Sequence, residues 1–169
     1  SQLFDEMIDF LIDHFISKGG EGSVRDRRRD VRSILPDIGE AAFKGLQERR
    51  MILNEKYFPN TNAIGTRCKI GVISKEKKLP SRKERRGNGD SDEMSVVFPH
   101  KLFQEYTAGL YLAKLYKSNS VKFDELWTRV IGNNINEYRY LLYFTSAQGE
   151  DIGVDILTRL VQGYSGITD

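Results

Sequence analysis

VVFPHKLFQEYTAGLYLAKLY, Val96 to Tyr116, decides the fold. A short apolar strand, Val96-Val97-Phe98, runs into Pro99 and His100 and then turns into an amphipathic helix. Proline suits the first turn of a helix, because the N–H it lacks would have no intrahelical partner there. The pattern predicts a helix over 99–117 with His100 in its first turn, where free N–H groups and the helix dipole favour an anion. Phe103, Tyr106, Leu110 and Ala113 fall at i, i+3, i+7 and i+10. That is the stripe of a core-facing helix, and ordinary core explains it better than an interdomain anchor does. Gln104 and Glu105 lie off the stripe, so they are expected to be solvated or to bond across a domain boundary.

Upstream, Leu3, Met7, Phe10, Leu11, His14 and Phe15 follow helical spacing over 3–18, with a second line at Phe4, Ile8, Ile12 and Ile16. So broad a stripe implies burial against more than one neighbour, with His14 a core-edge histidine. Gly19 to Ser23 has linker composition. The charged stretch 24–34 reads as a helix whose Arg25-to-Arg32 cluster is balanced locally by Asp26 and Asp30. Pro36 is expected to end it and to start a new helix to Arg49, with Ile38, Ala41, Ala42, Gly45 and Leu46 facing the core. Met51–Leu53 reads as a strand, Asn60–Arg67 as a helical turn and Ile70–Ser74 as a strand. Lys75–Asp92 reads as a long flexible basic loop, and Met94–Phe98 as the returning strand. Helices, a short strand, then strand–loop–strand is the element order of a winged-helix domain with an enlarged wing.

Beyond Pro99 the pattern stays helical. Candidates are Pro99–Lys117, Val121–Ile131, Asn136–Ala147 and Asp151–Gln162, joined by tight turns that would let neighbours stack antiparallel. The expected fold is therefore mainly α: a winged-helix domain with a small β-hairpin wing over 1–98, then a short superhelical-type bundle over 99–169. The helix at Pro99 is shared between the two.

The chain has 169 residues, 39% hydrophobic and 30% charged, which suits one domain or two small ones with a large polar surface. No apolar run approaches the roughly 20 residues of a membrane helix. The N-terminus carries Asp5, Glu6, Asp9 and Asp13, unlike a signal or transit peptide. The single cysteine, Cys68, excludes an intrachain disulfide and suits a reducing, cytoplasmic compartment. Two histidines, His14 and His100, are too few for a metal cage built on imidazoles, so no metal is expected. The net charge of +2 hides an asymmetry: nine basic and two acidic residues between Arg67 and Gly89 leave that segment at +7 and the rest at −5.

The pattern Phe98, His100, Phe103, Gln104, Glu105, Tyr106, Ala108 resembles the F-x-H-x-x-F-Q-E-[FY]-x-A signature of NOD-like receptors. These are the NACHT-type signal-transduction ATPases of innate immunity, and the likeness is nearest to their CARD-containing inflammasome members. LPDIGEAAFKGLQERRMIL, Leu35 to Leu53, is similar to the family's L-G-x-x-A-x-x-G-L segment through Ile38-Gly39, Ala42 and Gly45-Leu46. The helix LFDEMIDFLIDHF resembles the one that opens the family's winged-helix region. Together these cover residues 1 to about 117, and the rest would fall in the family's second helical domain.

The resemblance implies that His100 contacts the β-phosphate of bound ADP and holds the receptor closed, an imidazole N–H donating to a phosphate oxygen whose charge favours the protonated ring. It also implies an ADP- or ATP-binding parent, partners in the nucleotide-binding domain of the same chain and in oligomerising receptor subunits, and a cytoplasmic signalling role in autoinhibition. No G-x-x-x-x-G-K-[ST] phosphate loop occurs, since SKGGEGS and GNGD lack its ending, and no leucine-rich pattern follows. The sequence thus reads as a middle piece of a larger receptor, not itself an enzyme, and binding no nucleotide alone. No catalytic constellation stands out. The competing reading is a stand-alone winged-helix nucleic-acid binder using Lys75 to Arg86. Against it, and against nucleic acid as a partner, that run has no interleaved aromatic residue. Membrane is not an expected partner.

Overall fold

The computed structural model describes residues 2–17, 23–58, 73–77 and 94–165. The expected turn at 60–67, the strand at 70–72, most of the basic loop and the side chain of His14 lie outside the described residues. Helices α1 (Gln2–Ser17) and α2 (Val24–Gln47) precede strands β1 (Ile52–Asn54), β2 (Ser74–Lys77) and β3 (Met94–Val97). Helices α3 (Lys101–Ser118), α4 (Ser120–Leu126), α5 (Arg139–Ser146) and α6 (Glu150–Ser165) follow. A π-helical turn, Trp127–Ile131, extends α4, so the helix expected over 121–131 changes its winding partway.

The fold is mainly helical with one small antiparallel sheet. Its strand order is β1-β3-β2, which places the last strand in the middle. Leu53 pairs with Val96 and Lys75 pairs with Val96 from the other side. Val96, buried on its core-facing side with Leu53 and Ile73, is the apolar pivot of the sheet. Lys75 to Lys77 are strand, not loop.

Three expectations are corrected here. First, α2 is one helix that runs through Pro36. Proline removes a helical hydrogen bond and crowds the preceding turn, but Leu35 and Ile38 on either side are both buried in the core. That shared burial holds the two halves in line. Ser23 caps the helix by accepting from the N–H of Asp26 at 3.2 Å. Second, the long helix starts at Lys101, and His100 is its N-cap in an extended conformation (φ −151, ψ 145). Pro99 precedes the cap and removes no donor from the first turn. Third, only one of the two apolar lines of α1 is consistently inward. Ile8 and Ile12 are buried and Phe4 packs on the core, whereas Leu3 and Phe10 are 72% and 67% exposed.

Helix α3 is the central strut, packed on α2 along one side and on α5 along another. Small residues set both contacts. A Cβ on Gly39 of α2 would lie 2.3 Å from Tyr111 Cβ and 2.6 Å from the Thr107 carbonyl oxygen. A Cβ on Gly109 of α3 would lie 2.9 Å from Phe144 Cβ in α5. Only glycine permits backbones this close. Beside the α5 contact, Phe4 of α1 meets the rings of Phe103, Tyr106 and Phe144. Tyr106 also donates its hydroxyl to Asp5 at 2.7 Å, tying α1 to α3.

At the far end, Arg159 of α6 donates to Asp124 of α4 at 2.6 Å and to Asp155 at 2.7 Å. Its guanidinium also lies 5.4 Å from the ring centres of Phe123 and Trp127. One cluster of buried side chains runs from Ile8 to Ile156.

Candidate functional site

The site grows from the junction of β3 and α3. Burial of Phe98 ends the strand against the core, and Pro99 and His100 turn outward. His100 is exposed, and its Nδ1 accepts the N–H of Leu102 at 3.1 Å. A neutral imidazole accepts at one nitrogen and carries its hydrogen on the other. With Nδ1 occupied, the hydrogen sits on Nε2, at the end of the ring away from the helix. The cap therefore does more than the sequence suggested. It uses one of the free N–H groups that were expected to attract an anion, and it fixes the tautomer. A ring protonated on both nitrogens would lose this cap, so the neutral donor, not the imidazolium, fits the observed geometry.

Gln104 and Glu105 are not solvated: they are 1% and 2% exposed. Gln104 Nε2 donates to the carbonyls of Ala42 (3.1 Å) and Arg50 (2.8 Å). Because both neighbours are acceptors, the orientation of the amide is determined. A Cβ at Gly45 would lie 2.4 Å from that nitrogen, so Gly45 is the residue that admits Gln104. The alternating small residues of α2 and the Gln104 of the signature are thus one lock in two parts. The helical stripe alone could not reveal it. The spacing of Gly39, Ala42 and Gly45 was the available sign that another backbone comes close.

Glu105 Oε1 stands 3.7 Å from Lys101 Nζ. Burial pushes its carboxyl above the usual range, against the pull of Lys101 and Arg139. The stripe residues divide: Tyr106 and Ala113 are buried, Phe103 and Leu110 half-buried.

Helix α2 ends beside this junction. Arg50 N–H bonds the Gly45 carbonyl at 2.8 Å and Arg49 N–H bonds that of Leu46 at 3.1 Å. This is the paired closure of a Schellman turn, which needs a left-handed residue after the C-cap. Here that residue is Arg49, at φ 56, a conformation that favours glycine. Its guanidinium forms two bonds to Glu137, 2.9 and 3.3 Å long, and these hold the Glu137 carboxyl below its ordinary range. Between this turn and α3 lies a cavity of about 240 Å³ lined by Leu46, Met51, Gln104, Tyr138 and the basic residues Arg49, Arg50 and Lys101. His100 does not line it.

Among the described residues no group of three or more His, Cys, Asp or Glu side chains could hold a metal ion. None of the described helices is long and apolar enough to cross a membrane. The basic run is described only at Lys75–Lys77, as backbone of β2, and the rest of it lies outside the described residues. No protein-family model matches the chain, and no curated protein matches it.

Proposed function

We propose that this chain is the regulatory middle part of a NOD-like, NACHT-type receptor, in which His100 reports the phosphate of bound nucleotide. The observation that carries the reading is the state of His100: exposed, held as the N-cap, with Nδ1 occupied and Nε2 left to donate. A neutral N–H donor on a short, braced strand–helix junction is suited to a phosphate oxygen supplied by another domain. The β1-β3-β2 antiparallel sheet beside two helices supports a winged-helix domain over 1–98, and the helices after Pro99 support the start of a second helical domain over 99–169.

In the intact receptor, ADP bound by the nucleotide-binding domain would be held by His100, stabilising a closed, autoinhibited state in the cytoplasm. Exchange for ATP would release that contact, shift the population and free surfaces for receptor oligomerisation. The chain alone supplies a latch and no catalyst, and by itself should retain no ADP.

The test is nucleotide content of the purified parent receptor. His100→Leu should lose bound ADP and raise basal signalling. His100→Asn separates the two roles of the side chain, because asparagine is a good N-cap but lacks the outward ring nitrogen. It should melt like the wild type and still lose ADP. Unchanged ADP and unchanged basal signalling in both variants contradict the reading. The nucleic-acid alternative rests on the +7 segment from Arg67 to Gly89. Submicromolar DNA binding that weakens steeply with salt in the parent would favour it.

A further inference from the structure

The cavity beside the Schellman turn belongs to neither the latch nor the core. Its walls are the end of α2 (Gly45, Leu46), the Arg49–Met51 turn, the first turns of α3 (Lys101, Gln104) and Glu137-Tyr138. Leu46 and Met51 give it an apolar side. Gln104 lines it, and the two side-chain bonds its amide makes among the described residues both come from Nε2, which leaves Oε1 with acceptor capacity. Tyr138, 5% exposed, presents a second group with hydrogen-bonding capacity.

The charge on the cavity is lopsided. Three cations line it against one carboxylate, Glu137, and that carboxylate is taken by Arg49. Arg50 and Lys101 have weaker partners: Glu48 at 3.5 Å and Glu105 at 3.7 Å, both beyond ordinary charge-assisted bonding distance. Their side chains are 66% and 55% exposed, free to turn toward a second carboxylate. The volume narrows the occupant further. About 240 Å³ lies below the roughly 300–1,000 Å³ of pockets that enclose whole small ligands. It suits one aliphatic side chain with its peptide group.

We propose that this cavity is a docking site for a short acidic peptide segment. An aliphatic side chain sits on Leu46 and Met51, a peptide N–H donates to Gln104 Oε1, and the following Asp or Glu reaches Lys101 or Arg50. The site is separate from His100 and does not depend on nucleotide. It would let a partner segment grip the turn that ties α2 to α3.

The test titrates the ¹⁵N-labelled chain with the capped peptide acetyl-Leu-Asp-Leu-Glu-amide, with its reversed-charge counterpart acetyl-Leu-Lys-Leu-Lys-amide, and with inorganic phosphate. The acidic peptide should move the Gln104 side-chain amide and the Leu46 and Met51 backbone resonances. Lys101→Glu should weaken it at least tenfold, while Lys117→Glu, an equal charge change on the last turn of α3, should leave it within twofold. Absence of binding, equal binding of the basic peptide, an equal loss in both charge variants, or the same shifts from phosphate but not from the peptide would each overturn the proposal.

Discussion

The two sides of α3 achieve close packing by opposite means. Toward α2, side chains are removed: Gly39 and Gly45 let the backbones approach until Tyr111 Cβ, the Thr107 carbonyl and Gln104 fill the gap. Toward α1 and α5, beyond the one close approach at Gly109, side chains are added: Phe4, Phe103, Tyr106 and Phe144 meet edge to face and stacked, with ring centres 4.7 to 5.8 Å apart. A glycine contact tolerates no added atom, whereas an aromatic cluster tolerates no lost one. His100 sits at the end of the helix so clamped, and its position is fixed from both sides.

The largest effect should come from emptying the aromatic side. Phe144→Ala removes a buried ring that touches three others and should cost about 4 kcal/mol in urea unfolding. Next comes filling the glycine side. Gly39→Ala should cost about 2 kcal/mol despite alanine's better helix propensity. Tyr111→Ala should not rescue it, since the obstacles are Tyr111 Cβ and a backbone carbonyl, both present in the double variant. Rescue by that second change would show that the helices can slide apart and would break the comparison. A smaller loss, about 1 kcal/mol, should follow Tyr106→Phe, which keeps the ring and deletes the hydroxyl that bonds Asp5.

Glu105 gives the mildest and most pH-dependent change. Its carboxyl is raised by burial, so the folded state holds its proton more tightly than the unfolded chain does. Stability from that group is complete below the unfolded carboxylate range and is lost as pH rises through the folded value. Glu105→Gln should therefore melt higher than wild type at neutral pH, and the advantage should shrink on acidification. Equal melting at both pH values would mean that Lys101 fully compensates the burial.

Much of this was legible in the sequence because its signals are local. The long helix after Pro99, the β1 segment and the helices after 120 follow from periodicity and turn residues. What failed depends on partners distant in the chain. Pro36 looked like a stop because its cost is local, while the burial of Leu35 and Ile38 that overrides it is tertiary. For Gln104 and Glu105 the stripe left solvation and a bond across the boundary at 98 both open, because it counts only one buried face; α3 is covered on several, and Gln104 takes the second course through Ala42 and Arg50. The sequence sets His100 two positions too deep in the helix, because a histidine acting as the N-cap cannot be told from a first-turn residue until its backbone is seen.

The central claim is that His100 holds its Nδ1 on the Leu102 N–H and offers Nε2–H outward. A long-range ¹H–¹⁵N correlation spectrum of the imidazole, with the ring neutral, tests it directly. The account predicts a protonated Nε2 and an unprotonated, hydrogen-bonded Nδ1. A ring found mainly as the Nδ1–H tautomer would contradict it, because the cap would then be absent and the outward donor with it.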